Sequence, residues 1–126
     1  MLSGSIICKF VAKLVAMKKI RTKLFETVTQ KVKAVAQQFD PNAEVILFGS
    51  RARGDYRKDS DWDFLILTDL PVDKDYKIID TIRHNIYEAE LEIDACVSSL
   101  IENKINWQRQ RITDIYLNIA DDGVSI

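Results

Sequence analysis

Between Phe48 and Leu67 the chain runs FGSRARGDYRKDSDWDFLIL, a Gly-Ser pair closing one apolar run and an Asp-Trp-Asp triplet opening the next. This stretch limits the possible folds more than any other, because both of its ends must be strands. Val45-Ile46-Leu47-Phe48 has the character of a short buried strand, and Gly49 lets the backbone turn and approach a ligand where a side chain would block it. Ser50 follows with a hydroxyl and an amide. Where a strand gives way to a short helical turn, successive N–H groups converge into an anion site suited to a triphosphate. Arg51, Arg53, Arg57 and Lys58 add positive charge nearby. Arg51 and Arg53 are candidate phosphate contacts, with a salt bridge or a solvated surface role as the alternative for either.

Asp61 and Asp63 stand two apart, so on a strand both carboxylates face the same way and Trp62 faces the other. Two such carboxylates repel unless a cation lies between them. Mg²⁺ is a hard ion commonly held by one or two carboxylates together with substrate phosphates. A phosphate cradle beside a carboxylate pair is the chemistry of nucleotidyl transfer, and a third acid would complete a two-metal site. Leu91-Glu92-Ile93-Asp94-Ala95-Cys96-Val97 supplies the candidate. Its alternation predicts a third strand over about Glu90 to Val97 with Glu92 and Asp94 on one face, and Asp94 is preferred over Glu92.

Gly49-Ser50, ten intervening residues, Asp61-x-Asp63 and a later apolar-Asp-apolar segment together resemble the DNA polymerase beta nucleotidyltransferase superfamily. More narrowly, GSRARGD followed by SDWDF resembles the minimal nucleotidyltransferases, over about residues 17 to 126. The resemblance implies an α/β fold, a small mixed sheet with helices packed on one face. It further implies nucleotide phosphates on Gly49 and Ser50, and Mg²⁺ held as a two-metal site by Asp61, Asp63 and Asp94, with ATP as substrate. In this family the stand-alone domains are often antitoxins paired with a helical HEPN-domain ribonuclease, and some transfer AMP to a tyrosine of that toxin. The implied activity is therefore AMP transfer to a hydroxyl of a partner protein. Transfer to a small molecule such as an aminoglycoside, and a binding antitoxin without catalysis, are the alternatives.

With 126 residues and 47% hydrophobic content, the chain is expected to form one domain with a modest core. A net charge of −1 argues against broad binding to duplex nucleic acid, which needs a basic footprint. The charge is uneven: the first 33 residues hold eight Lys or Arg against Glu26 alone. Cys8 and Cys96 are too few for a disulfide framework or a zinc site, and Cys96 is expected in the core. His84 has no ligand cluster and is expected at the surface. No run reaches the roughly 20 apolar residues of a membrane span. The Ile6–Val15 run is broken by Lys9 and Lys13 and makes a poor signal peptide, so the cytoplasm is the expected location. Residues 1–16 form an expected N-terminal extension, and self-association of the domain is left open.

The remaining pattern alternates helix and strand. Met17, Ile20, Leu24, Val28, Val32, Val35 and Phe39 form one apolar stripe of a first helix, stopped by Asp40-Pro41-Asn42. Strands are expected over about Glu44 to Phe48 and Trp62 to Thr68. A helix follows over Asp75 to Glu88, with Tyr76, Ile79, Ile82 and Ile86 inward. Ser98-Ser99 resembles a helix start, and a last turn over Asp114 to Ala120 is expected to close at Gly123 in a left-handed cap.

Overall fold

The structure is a computed structural model and describes residues 22–126. Met17, Ile20, Cys8 and the expected extension over residues 1–16 lie outside the described residues. Helix α1 (Lys23–Phe39) starts at Thr22, whose hydroxyl accepts from the Phe25 amide. Its stripe of Val28, Val32 and Ala36 is buried. Asp40 ends it with extended backbone, and Pro41 cannot continue it.

Strand β1 (Glu44–Phe48) leads into a single helical turn, α2 (Ser50–Arg53), and a loop returns the chain to β2 (Trp62–Thr68). The two strands pair antiparallel, from Glu44 opposite Leu67 to Phe48 opposite Asp63. Helix α3 (Tyr76–Ile93) crosses to β3 (Val97–Asn103), which runs parallel to β2. Two short helices, α4 (Lys104–Arg109) and α5 (Asp114–Asp122), then lead to β4 (Val124–Ser125) against β1. The mixed sheet has the order β3-β2-β1-β4.

Alternation along β2 sorts the core into two layers. Trp62, Phe64 and Ile66 pack with Val28, Val32, Ile82 and Ile86 under α1 and α3. Leu65 and Leu67 face the opposite way, onto Trp107 and Ile119 of α4 and α5. The expected mixed α/β sheet is present, with the larger helical layer on one face. The second, smaller layer covers only part of the other face, because α4 and α5 are too short to extend over it all.

The third strand differs from expectation. Ala89-Glu90-Leu91-Glu92 are strong helix formers, so α3 continues through Ile93 instead of breaking at Glu90, and the strand begins at Val97. Alternation over 90–97 was compatible with either state; the tertiary contacts of Ile86 and Ala89 favour helix. Ser98 and Ser99 consequently belong to β3 and not to a helix start. Tyr76, expected inward, is 70% exposed because it occupies the first position of α3. Cys96 is exposed in the α3–β3 connection and not in the core. Gly123 caps α5 with φ −62°, not in the left-handed region. Its small size is used differently: a Cβ there would meet the Ile119 carbonyl oxygen and, at 2.8 Å, Ile46 Cγ2. His84 is at the surface as expected. No helix among the described residues is long and apolar enough to cross a membrane.

Candidate active site

The turn after β1 is built around one glycine. Gly49 has φ +75°, a region that side chains disfavour, and a Cβ on it would collide with the Asp63 carboxylate. The Gly-Ser turn and the second acid of Asp-x-Asp are therefore in direct apposition, as the pairing of Phe48 with Asp63 requires. Gly49 O accepts from the amides of Ala52 and Arg53, and the amides of Ser50 and Arg51 precede them at the open end of the turn.

Asp63 is half-buried beside Phe48, and Asp61 is exposed just before β2. Burial raises the Asp63 carboxyl above its ordinary range; the Asp61 charge pushes it the same way, and Arg53 opposes both. Trp62 is buried under α1, so Asp63, its neighbour on β2, faces away from the larger helical layer as expected, while Asp61 stands just before the strand, near enough for its charge to act on Asp63. Such a pair fits a hard divalent cation, whose charge would remove their repulsion, with phosphate oxygens completing its shell.

The two candidate arginines behave differently. Arg51 is 6% exposed and turned into the loop: Nε and Nη2 donate to Ser60 O at 3.3 and 3.1 Å, and Nη2 also donates to Lys58 O at 3.2 Å. Its guanidinium carbon lies 4.3 Å from the Tyr56 ring centre and 4.5 Å from that of Trp62. Arg53 is on the surface, with Nη1 2.8 Å from Asp122 and Nε 3.3 Å from Asp55. The Asp122 hydrogen bond raises the Arg53 pKa, and Asp55 acts in the same direction. Ser60 Oγ accepts from the Arg57 amide at 2.8 Å, which makes it a turn residue.

The third acid is where sequence and structure part. Asp94 is the C-cap of α3, in the left-handed conformation at φ 50°, and its N–H donates to Glu90 O. With Leu24, Arg51, Lys58 and Trp62 it lines a cleft of about 200 Å³ on the Trp62 side of β2, whereas Asp63 faces the other side. Glu92 is committed elsewhere, 2.7 Å from Lys31 across the α1–α3 groove, and this contact holds its carboxyl below the usual range. Among the described residues no three Asp, Glu, His or Cys side chains converge on one point. The structure thus brings together Gly49, Ser50, Asp61 and Asp63, and does not assemble the three-carboxylate, two-metal centre expected from sequence.

Two neighbours of the acids escaped the sequence reading. Ser98 is the register partner of Asp63 on the parallel strand, on the face where a third acid on β3 would have stood. Glu90 is half-buried; burial raises its carboxyl, a hydrogen bond from the Val97 amide lowers it, and the Asp61 charge raises it. The available signal was Glu90's place on the stripe Ile82, Ile86, Glu90, an acid at an otherwise apolar helical position.

Comparison with known proteins agrees with this geometry. Residues 28–119 match the nucleotidyltransferase domain family, and the chain belongs to that family. It is a nucleotidyltransferase of the minimal type. It is also 42% identical over 82 residues to the Methanocaldococcus jannaschii protein named "Putative protein adenylyltransferase MJ0604", a match covering 64% of this chain and 73% of the relative.

Proposed function

We propose that this domain transfers AMP from ATP to a hydroxyl of a partner protein, with Mg²⁺ as the required ion. The observation that supports it most is the apposition of Gly49 and Asp63, which makes the phosphate turn and the acid pair one site. The name carried by the archaeal relative favours a protein acceptor. The resemblance to minimal nucleotidyltransferases favours a helical HEPN-domain toxin as that protein, with this chain as its antitoxin.

In this reading the outer phosphates rest on the open amides and hydroxyl of Gly49-Ser50, and Asp61 and Asp63 hold the ion. When bound, Mg²⁺ supplies Lewis-acid polarisation of the α-phosphate and neutralises charge on the departing pyrophosphate. Arg53, fixed by Asp122, adds positive charge beside Asp63. The acceptor oxygen forms a bond to the α-phosphorus, the bond to the bridging oxygen breaks, and pyrophosphate leaves. Glu90, half-buried and near enough to feel the Asp61 charge, takes the hydroxyl proton.

The test is incorporation of α-labelled ATP into the proteins of a native lysate with Mg²⁺, resolved on a denaturing gel. A labelled band that Asp63→Asn abolishes is the expected result. Turnover by Asp63→Asn within a few-fold of wild type would refute the site, and label confined to small molecules would move the acceptor out of the protein class.

A further inference from the structure

The buried guanidinium of Arg51 occupies an unusual place for a cation in a phosphate-binding loop. Among the described residues no carboxylate lies within salt-bridge distance of it; its partners are main-chain carbonyls and two aromatic rings. The carbonyl it grips twice, Ser60 O, belongs to the peptide unit whose nitrogen is that of Asp61. Since that unit is planar, fixing the carbonyl fixes the direction in which the chain enters Asp61. The Trp62 ring under the guanidinium is the residue on the other side of Asp61. Arg51 thus holds both chain neighbours of an exposed acid that has few contacts of its own.

We infer that Arg51 is a positioning residue, not a phosphate ligand: it clamps the 58–62 segment to α2 so that Asp61 stands beside Asp63 at the spacing a divalent cation needs. The inference rests on the metal reading of Asp61 and Asp63 given above. Arginine is required because one planar group must both donate a fork of hydrogen bonds and lie against ring faces; lysine keeps the charge, but its compact ammonium has no planar fork with which to do both at once. Since the side chain is buried, the charge is not presented to a triphosphate. Of the two candidate arginines, Arg53, on the surface next to Asp63, is the one left for that contact.

The experiment is Mn²⁺ binding without nucleotide, read from loss of the free-ion electron paramagnetic resonance signal. Wild type, Arg51→Lys, Asp61→Asn and the double variant are compared, with circular dichroism to verify folding. Arg51→Lys is expected to weaken Mn²⁺ about tenfold despite its retained charge. Combined with Asp61→Asn it should add less than about twofold, because both changes act through one carboxylate. Tyr56→Leu, which removes one ring and touches neither acid, should give a smaller loss in the same direction and serves if Arg51→Lys does not fold. Unchanged Mn²⁺ affinity in Arg51→Lys with weakened ATP binding, or fully additive losses in the double variant, would overturn the positioning role and leave the site reading intact. No Mn²⁺ binding by wild type, with or without ATP, would overturn the metal reading and this inference with it.

Discussion

Asp40 shows how much one buried carboxylate can organise. Its Oδ2 accepts from the Thr68 hydroxyl at 2.7 Å and the Asp69 amide at 2.9 Å, and its Oδ1 accepts from the Asn42 amide at 2.9 Å. The Thr68 hydrogen bond is the main reason its pKa lies below the ordinary value, and the other two bonds add to it. A depressed folded pKa means the stabilisation is complete above the unfolded value and is lost as pH falls through the folded one, below about pH 4. Asp40→Ala should cost about 2–4 kcal/mol near neutrality, since it leaves buried donors unpaired. Denaturant titrations at pH 6 and pH 3 check this, the gap between wild type and variant narrowing at the lower pH. Gly49 is the second decisive residue. Gly49→Ala adds a Cβ at positive φ against the Asp63 carboxylate, so it should destabilise the fold by about 1–3 kcal/mol and remove labelling of the acceptor. A melt and the lysate assay measure the two effects separately.

At the scale of elements, α3 decides which acids can reach the site. Sequence alternation alone placed Glu92 and Asp94 together on a strand, and the helix separates them: Glu92 pairs with Lys31, and Asp94 caps the C-terminus. Glu92→Gln is therefore expected to leave nucleotidyl transfer unchanged. Glu90→Gln should slow it by about a hundredfold, the lower end of the usual scale for loss of a general base. Rates of label incorporation at saturating ATP distinguish the two. Equal loss in both variants would return Glu92 to the site. Strands β1 and β2 were by contrast legible in their bounds, and the helical turn between them in kind, because apolar runs bounded by Gly49 and by Pro71 leave few alternatives.

At the scale of the whole molecule, the last four residues close the sheet. Val124 is buried against Leu47 of β1, and the Ile126 amide donates to Val45 O at 2.9 Å. Removing residues 123–126 uncovers this edge and should cost about 2–3 kcal/mol. A thermal melt should show a midpoint lower by about 10 °C. The sequence determined the strands that flank the Gly-Ser turn, the facing of Asp63 away from Trp62, and the family, because period-two alternation and a glycine-only turn are local properties. Only the tertiary structure decided the end of α3, the burial of Arg51 and the neighbours of Asp61. These depend on what packs against each side chain, and segments 35 residues apart, such as Trp62 and Val97, meet only when a parallel strand is laid beside β2.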